Sequence, residues 1–150
     1  MELSYEPATP ADINPIFDLC KQLIRRYEDP NSIDPDLVFP WIHRKITAHI
    51  ASYTRILYQG KIVGYYHLAP NGEEMELDDL YVFPKFQGMG IGSAVLRRCC
   101  ATNQPMMLYV FTENHGAITL YRRFGFTEAE TVSATRIIMR RPTDAAQEVL

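Results

Sequence analysis

Apolar positions recur along the chain with two periods, and the switches between them predict the elements. Residues 3–6 alternate as a short edge strand does. Thr9-Pro10-Ala11-Asp12 offers helix-start chemistry. Asp12 is the better cap, because Pro15 then falls in the first turn, where its missing N–H is tolerated. Ile13, Ile16, Phe17, Cys20, Leu23, Ile24 and Tyr27 follow at helical spacing, until Glu28-Asp29-Pro30-Asn31-Ser32 stops the run. Residues 35–50 read as a second helix, less regular and interrupted near Pro40.

The period then changes to two. Residues 53–58 and 62–68 flank Gln59-Gly60-Lys61 and predict a hairpin. Pro70-Asn71-Gly72 is a second turn. Residues 74–82 form a third strand, acidic at first, ending in Leu80-Tyr81-Val82 before Pro84. A glycine-rich turn leads into a helix over about 90–101. Residues 106–111 are an apolar strand. Ala117, Leu120, Tyr121 and Phe124 mark one face of another helix, closed by Gly125 as a left-handed C-cap. Residues 127–131 and 135–140 make a last hairpin. The order β-α-α-β-β-β-α-β-α-β-β predicts an α/β fold, a mixed and mostly antiparallel sheet flanked by helices. One domain is expected over 1–141, with a C-terminal tail over 142–150 that frays.

Composition works by exclusion. The 150 residues are 47% hydrophobic and 22% charged, enough apolar surface to offset chain entropy, so disorder is excluded for most of the chain. No apolar run approaches the roughly 18 residues of a membrane span. The opening MELSYEP has neither the basic nor the apolar region of a secretory signal. A net charge of -3 does not suit a general nucleic-acid binder. Three cysteines, two of them adjacent, make no disulfide framework and suit a reducing compartment. A cytoplasmic location with no membrane partner is therefore expected. The four histidines show no ligand spacing with the cysteines, so no metal is expected.

The most informative stretch is Leu80-Tyr81-Val82-Phe83-Pro84-Lys85-Phe86-Gln87-Gly88-Met89-Gly90-Ile91-Gly92-Ser93. It is a strand, a short turn, three glycines at alternate positions, then a helix. Glycine permits close backbone approach, and a helix N-terminus offers unpaired N–H groups and partial positive charge. Together they suit a pyrophosphate. The spacing fits neither the P-loop nor the G-x-G-x-x-G dinucleotide fingerprint. Upstream, Glu76 and Asp78 stand two apart on the strand and are expected to share a face with Leu80 and Val82, with Asp79 facing the other way.

Gln87-x-x-Gly90-x-Gly92 after Leu-Tyr-Val-x-Pro resembles the acyl-CoA pyrophosphate loop of the GNAT superfamily of N-acetyltransferases. Asn114-x-x-Ala117-x-x-Leu120-Tyr121-x-x-Phe124-Gly125-Phe126 is similar to that family's cofactor-side helix. Pro7-Ala8-Thr9-Pro10-Ala11-Asp12 resembles its entry into the first helix. The resemblance spans residues 3–140. It implies acetyl-CoA as co-substrate, lying where two parallel strands splay. Leu80, Tyr81 and Val82 would pair their backbone with the pantetheine amides. Gln87 would start the loop, and the amides of Gly88, Met89, Gly90, Ile91, Gly92 and Ser93 would hold the pyrophosphate. Asn114, also a good N-cap, would reach the cofactor.

The same resemblance implies that Tyr121 is the general acid that protonates the leaving thiolate. Its other reading is a core aromatic whose hydroxyl needs a partner. Some branches place a base six or four residues before the valine, which falls on Glu76 and Asp78. Glu76 is favoured as base, with Asp78 on the acceptor side. Where certain branches carry a glutamate, this chain has Tyr109. No cysteine stands where a nucleophile would, and Cys99-Cys100 fall inside a helix, so direct attack in a ternary complex is implied. A non-catalytic acyl-CoA-binding module is the alternative. The acceptor is expected to be a small amine or a peptide amine, met by the first two helices, their acidic connection and the last hairpin. Phe39, Trp41 and Tyr53 could line its pocket or belong to the core. A monomer and a homodimer both remain open.

Overall fold

Every alternating segment enters one seven-stranded sheet, ordered β1-β2-β3-β4-β5-β7-β6. The computed structural model describes residues 1–143, so positions 144–150 of the expected tail lie outside the described residues. The strands are β1 (Leu3–Pro7), β2 (Tyr53–Tyr58), β3 (Lys61–Asn71), β4 (Glu74–Val82), β5 (Met106–Phe111), β6 (Thr127–Thr131) and β7 (Arg136–Arg141). The helices are α1 (Ile13–Tyr27), α2 (Pro35–His49), α3 (Ile91–Cys100) and α4 (His115–Arg123). Neighbouring strands run antiparallel except β4 and β5, which are parallel. This is the expected mixed sheet, and β1 lies at its edge as its short alternation predicts.

Two apolar layers cover the sheet. On one face α3 and α4 pack Ile91, Val95, Leu96 and Ile118 onto Leu77, Met106, Leu108, Val110 and Met139. On the other, α1 and α2 set Ile16, Leu19, Ile42 and Ile46 on Tyr53, Tyr65 and Tyr81. The helix α2 runs unbroken through Pro40, contrary to the expected interruption. Proline removes one N–H, but burial of Ile42 and Ile46 holds the helix together and the exposed ring is clear of the core. Asp12 does precede α1, but its side chain makes no cap bond to that helix. Its carboxylate accepts from Thr9 N–H at 2.8 Å, Arg55 Nε at 2.7 Å and the Tyr65 hydroxyl at 2.8 Å. It therefore ties the helix entry to the sheet. Gly125 takes φ 90, the left-handed cap its position predicts.

The register of β3 on β4 shifts between His67 and Leu68, which face Asp79 and Leu77 respectively. Asp78 is thus the extra residue of a bulge, and it reverses the alternation of β4. Before the bulge Leu77 packs toward α3; after it Leu80 and Val82 do. Glu76, Asp78, Asp79 and Tyr81 are left toward α1 and α2. The expected sharing of one face by Glu76, Asp78, Leu80 and Val82 is therefore corrected, and so is the opposite facing of Asp79. Strict period-two counting fails because one residue is inserted.

Gly64 on β3 lies against this strand. A Cβ there would sit 2.1 Å from the Tyr81 carbonyl oxygen, which is backbone and has nowhere to go. Gly64→Ala should therefore cost about 1–3 kcal/mol or more, read as a lowered urea midpoint. The control Gly60→Ala sits in open space and bears only the strain of its φ +76 turn, so its loss should be smaller.

Candidate active site

The parallel contact of β4 with β5 lasts for two register positions, Met75 with Met106 and Glu76 with Met107. Beyond them each strand stays paired to its outer neighbour, β4 to β3 and β5 to β7. A wedge opens between them. Antiparallel ladders alternate the direction of backbone groups. Phe83 N–H donates to Val63 O, so Tyr81 also pairs toward β3 while Leu80 and Val82 turn their backbone groups to the wedge. The Gln87 side chain already reaches in, donating from Nε2 to Val82 O at 3.0 Å. Tyr81 sends its side chain into the α1–α2 layer instead.

The glycine turn closes one end of the wedge. Gly88 and Gly90 take φ 79 and 87, and a Cβ at either would meet nothing within 4 Å. Their conformation needs glycine, and the space beside them is open. Gly90 is the N-cap of α3, whose first backbone bond comes from Ala94 N–H. The N–H groups of Ile91, Gly92 and Ser93 therefore have no acceptor within the helix. Gly92 has a different reason: its Cβ would lie 3.1 Å from Leu120, so it lets α3 approach α4. Ile91 is buried in the core and offers only its backbone, while Met89 is exposed. Asn114 caps α4, accepting from Ala117 N–H at 3.3 Å and from the Tyr27 hydroxyl at 3.4 Å.

Five ionisable groups gather on the α1–α2 side: Lys45, His67, Glu76, Asp78 and Asp79. Lys45 Nζ lies 2.7 Å from Asp78 Oδ2, and His67 Nδ1 lies 3.4 Å from the same oxygen. Burial alone would raise the Asp78 pKa, but the hydrogen bonds from His67 and Lys45 outweigh it and hold the carboxyl at about 2. Glu76 is shifted the other way, up, by burial and by the charge of Asp78, with Asn71 Nδ2 at 3.0 Å opposing. Asp79 is also raised by burial and by Asp78, although the hydroxyls of Tyr53 and Tyr81 donate to it, each at 2.7 Å. Tyr121 is pushed up to about 12, by burial first and then by the Asp79 charge. That charge acts on α4 from across the wedge. Burial raises the Cys20 thiol to about 11 and the Cys99 thiol to about 12, which keeps both protonated in the neutral range.

Sequence reasoning missed Lys45, His67 and the inward Asp79. Lys45 had a signal, since it interrupts the apolar stripe of Ile42 and Ile46. The acidic connection resolves mostly into turn chemistry: Asp34 accepts from Asp36 N–H, and Asp29 from Asn31 N–H. Glu28 instead accepts from the Thr135 hydroxyl, tying the end of α1 to the last hairpin. Phe39 helps to line a groove of about 280 Å³ with Ile24, Glu28, Ile33 and Pro35. Tyr53 is core, and Trp41 is exposed. Among the described residues no group of side chains could hold a metal, and no helix is long and apolar enough to cross a membrane.

A family model described as the acetyltransferase (GNAT) family matches residues 16–126. An uncharacterized N-acetyltransferase of Methanocaldococcus jannaschii is 34% identical over 74 residues, 46% of this chain and 33% of that protein. A mycothiol acetyltransferase of Streptomyces griseus is 39% identical over 79 residues, 47% of this chain and 25% of that protein. The chain thus spans a third or less of the length of these relatives. Among solved structures, the PaiA N-acetyltransferase of Thermoplasma acidophilum in complex with coenzyme A superposes with a TM-score of 0.69. It is 16% identical, and the match covers 95% of this chain and 99% of that one, a likeness of fold.

The Asp78 pKa of about 2 carries a stability consequence. Its folded value lies below the unfolded one of about 3.9, so its contribution is complete above the unfolded pKa and is lost as pH falls through the folded one. The wild type should lose on the order of 2 kcal/mol from this group between about pH 5 and pH 2. Asp78→Asn should be less stable at neutral pH and show a flatter acid limb in urea midpoints. Parallel acid limbs would sink the assignment.

Proposed function

The chain belongs to the GNAT acetyltransferase family, and on that premise we propose that it moves the acetyl group of acetyl-CoA to an amine by direct attack in a ternary complex. The observation that carries this reading is the wedge. Leu80 and Val82 turn their backbone toward it, with Val82 O covered by the Gln87 side chain, and the open Gly88–Gly90 turn meets the free N–H groups of α3 at its end. An extended amide chain can add to that strand edge, and a pyrophosphate suits the turn. The residues present therefore fit the co-substrate. Acetyl-CoA supplies the activated acyl group.

The chain's own side chains then divide the proton work. Glu76, shifted upward by burial and by the charge of Asp78, is the base that receives the proton of the attacking amine, directly or through water. Asp78, held at about 2 by Lys45 and His67, stays ionised and is a poor base. It orients the acceptor side. Tyr121, at about 12, keeps its proton through the neutral range and donates to the sulfur as charge develops there. The high pKa values of Cys20 and Cys99 support direct transfer over a covalent acyl-enzyme. Small amines and peptide amines are both within reach of this chemistry.

The test is thiol release from acetyl-CoA across a panel of amines. Release on an amine supports the enzyme. Coenzyme A binding with no release on any amine favours the non-catalytic module. Gly90→Val should weaken coenzyme A binding by at least about tenfold, because a branched side chain cannot take φ 87 and would fill the cradle. Unchanged affinity in the folded variant would remove Gly90 from the site.

Tyr121→Phe and Glu76→Gln separate acid from base. Tyr121→Phe should lower kcat by roughly 10²–10⁴ with coenzyme A affinity retained. Glu76→Gln should flatten the rise of rate with pH, a limb placed above the usual carboxylate pKa by the upward shift. Asp78→Asn should keep that limb. If it loses the limb and Glu76→Gln does not, the base is Asp78.

A further inference from the structure

Arg136 opens β7 opposite Phe111 of β5. Its neighbours Ile137 and Met139 go into the α3–α4 core, as do Leu108 and Val110. Arg136, Tyr109 and Phe111 are therefore left on the α1–α2 face, the acceptor side of the wedge. The guanidinium carbon lies 4.9 Å from the Tyr109 ring centroid and 5.8 Å from that of Phe111. Tyr27 of α1 stacks on the far part of this floor, 5.8 Å from Phe111. The Thr135 hydroxyl, bonded to Glu28, holds the adjoining hairpin down against the end of α1.

This cation is half-buried, yet no carboxylate lies within ion-pair distance of it among the described residues. Lys45, Arg55 and Arg140, similarly withdrawn, each hold one or two. Glu28 touches the neighbouring Thr135 but makes no ion pair with Arg136. A guanidinium held over aromatic rings with no carboxylate partner still has N–H donors to offer a planar or tetrahedral oxyanion. Tyr109 beneath it is 37% exposed, so the place is open.

The distance to the base follows from register. Glu76 pairs with Met107, and Tyr109 is two residues further along β5. At the usual rise and strand spacing the Glu76 and Tyr109 Cα atoms are about 8 Å apart, and the Arg136 guanidinium reaches over the Tyr109 ring from β7 beyond it. We propose that Arg136 is a specificity residue that selects an acceptor amine carrying an oxyanion, a carboxylate or a phosphate, at the far end of a chain of several carbons from its nitrogen. The amine end meets Glu76, and the anionic end meets the guanidinium above Tyr109. The inference rests on the acetyltransferase reading for the amine end only.

Aminohexanoate, aminohexyl phosphate and aminohexanol form a length-matched set with carboxylate, phosphate and neutral ends. Wild-type KM should favour an oxyanion member over aminohexanol by at least about tenfold. Arg136→Gln should bring that ratio to about one, and Arg136→Lys should restore part of it. Lys61→Gln, an exposed cation on β3, should leave the ratio unchanged. The arm that binds better names the carboxylate or the phosphate. Calorimetric titration of the same three compounds into the coenzyme A complex reads the preference without turnover. Arg136-dependent binding with no thiol release supports this inference and defeats the catalytic one. Equal binding of all three, or a preference that survives Arg136→Gln, overturns it whatever the turnover.

Discussion

Two parallel strands that stop pairing after two residues create the wedge, and the rest of the site is arranged around it. Unpaired backbone in a sheet interior is costly, so the opening has to be enforced from outside. β5 is bound to β7 over six register pairs, and β4 to β3 over its whole length. Each strand follows its outer partner, and the two diverge. Gly64 contributes by letting β3 press directly on the Tyr81 backbone. The bulge at Asp78 sharpens the local twist in β4 where the separation begins. The freed groups are not left wholly bare, since Gln87 covers Val82 O.

The bulge also sets the electrostatics. Regular alternation would leave Asp78 and Asp79 on opposite faces. With one residue inserted, both turn toward α1 and α2, next to Glu76. Three neighbouring carboxyls cannot all ionise freely. Lys45 and His67 settle the charge on Asp78, which pushes Glu76 and Asp79 upward. Similar groups are thereby driven to different proton affinities by their surroundings. Asp79, enclosed by two tyrosine hydroxyls, adds to the burial that raises Tyr121.

The elements were legible because their patterns are local. The strand ending in Leu80-Tyr81-Val82, the glycine turn and the Gly125 cap all appear where spacing places them. The bulge was not legible, since it depends on which β3 residue opposes which β4 residue. Glu76 and Asp78 do share a face as their spacing predicts, but the bulge takes Leu80 and Val82 off that face and brings Asp79 onto it. The three turn glycines looked alike in sequence, but Gly88 and Gly90 answer to a backbone angle and Gly92 to a neighbouring leucine. Proline at position 40 suggested a break, and tertiary burial of Ile42 and Ile46 overrode it.

The two sides of the wedge are joined through α1. Tyr27 stands at its last turn, stacked on Phe111 and donating to the Asn114 side chain that caps α4. One residue later, Glu28 accepts from Thr135 at the start of the last hairpin. Two successive residues thus fasten the acceptor-side helix to the helix that carries Tyr121 and to the strand that begins with Arg136. A shift of α1 would move the α4 cap and the start of β7 together. The placement of α4 relative to β7 is then a property of the fold rather than of any one side chain, and precise positioning of groups across the wedge needs that kind of rigidity.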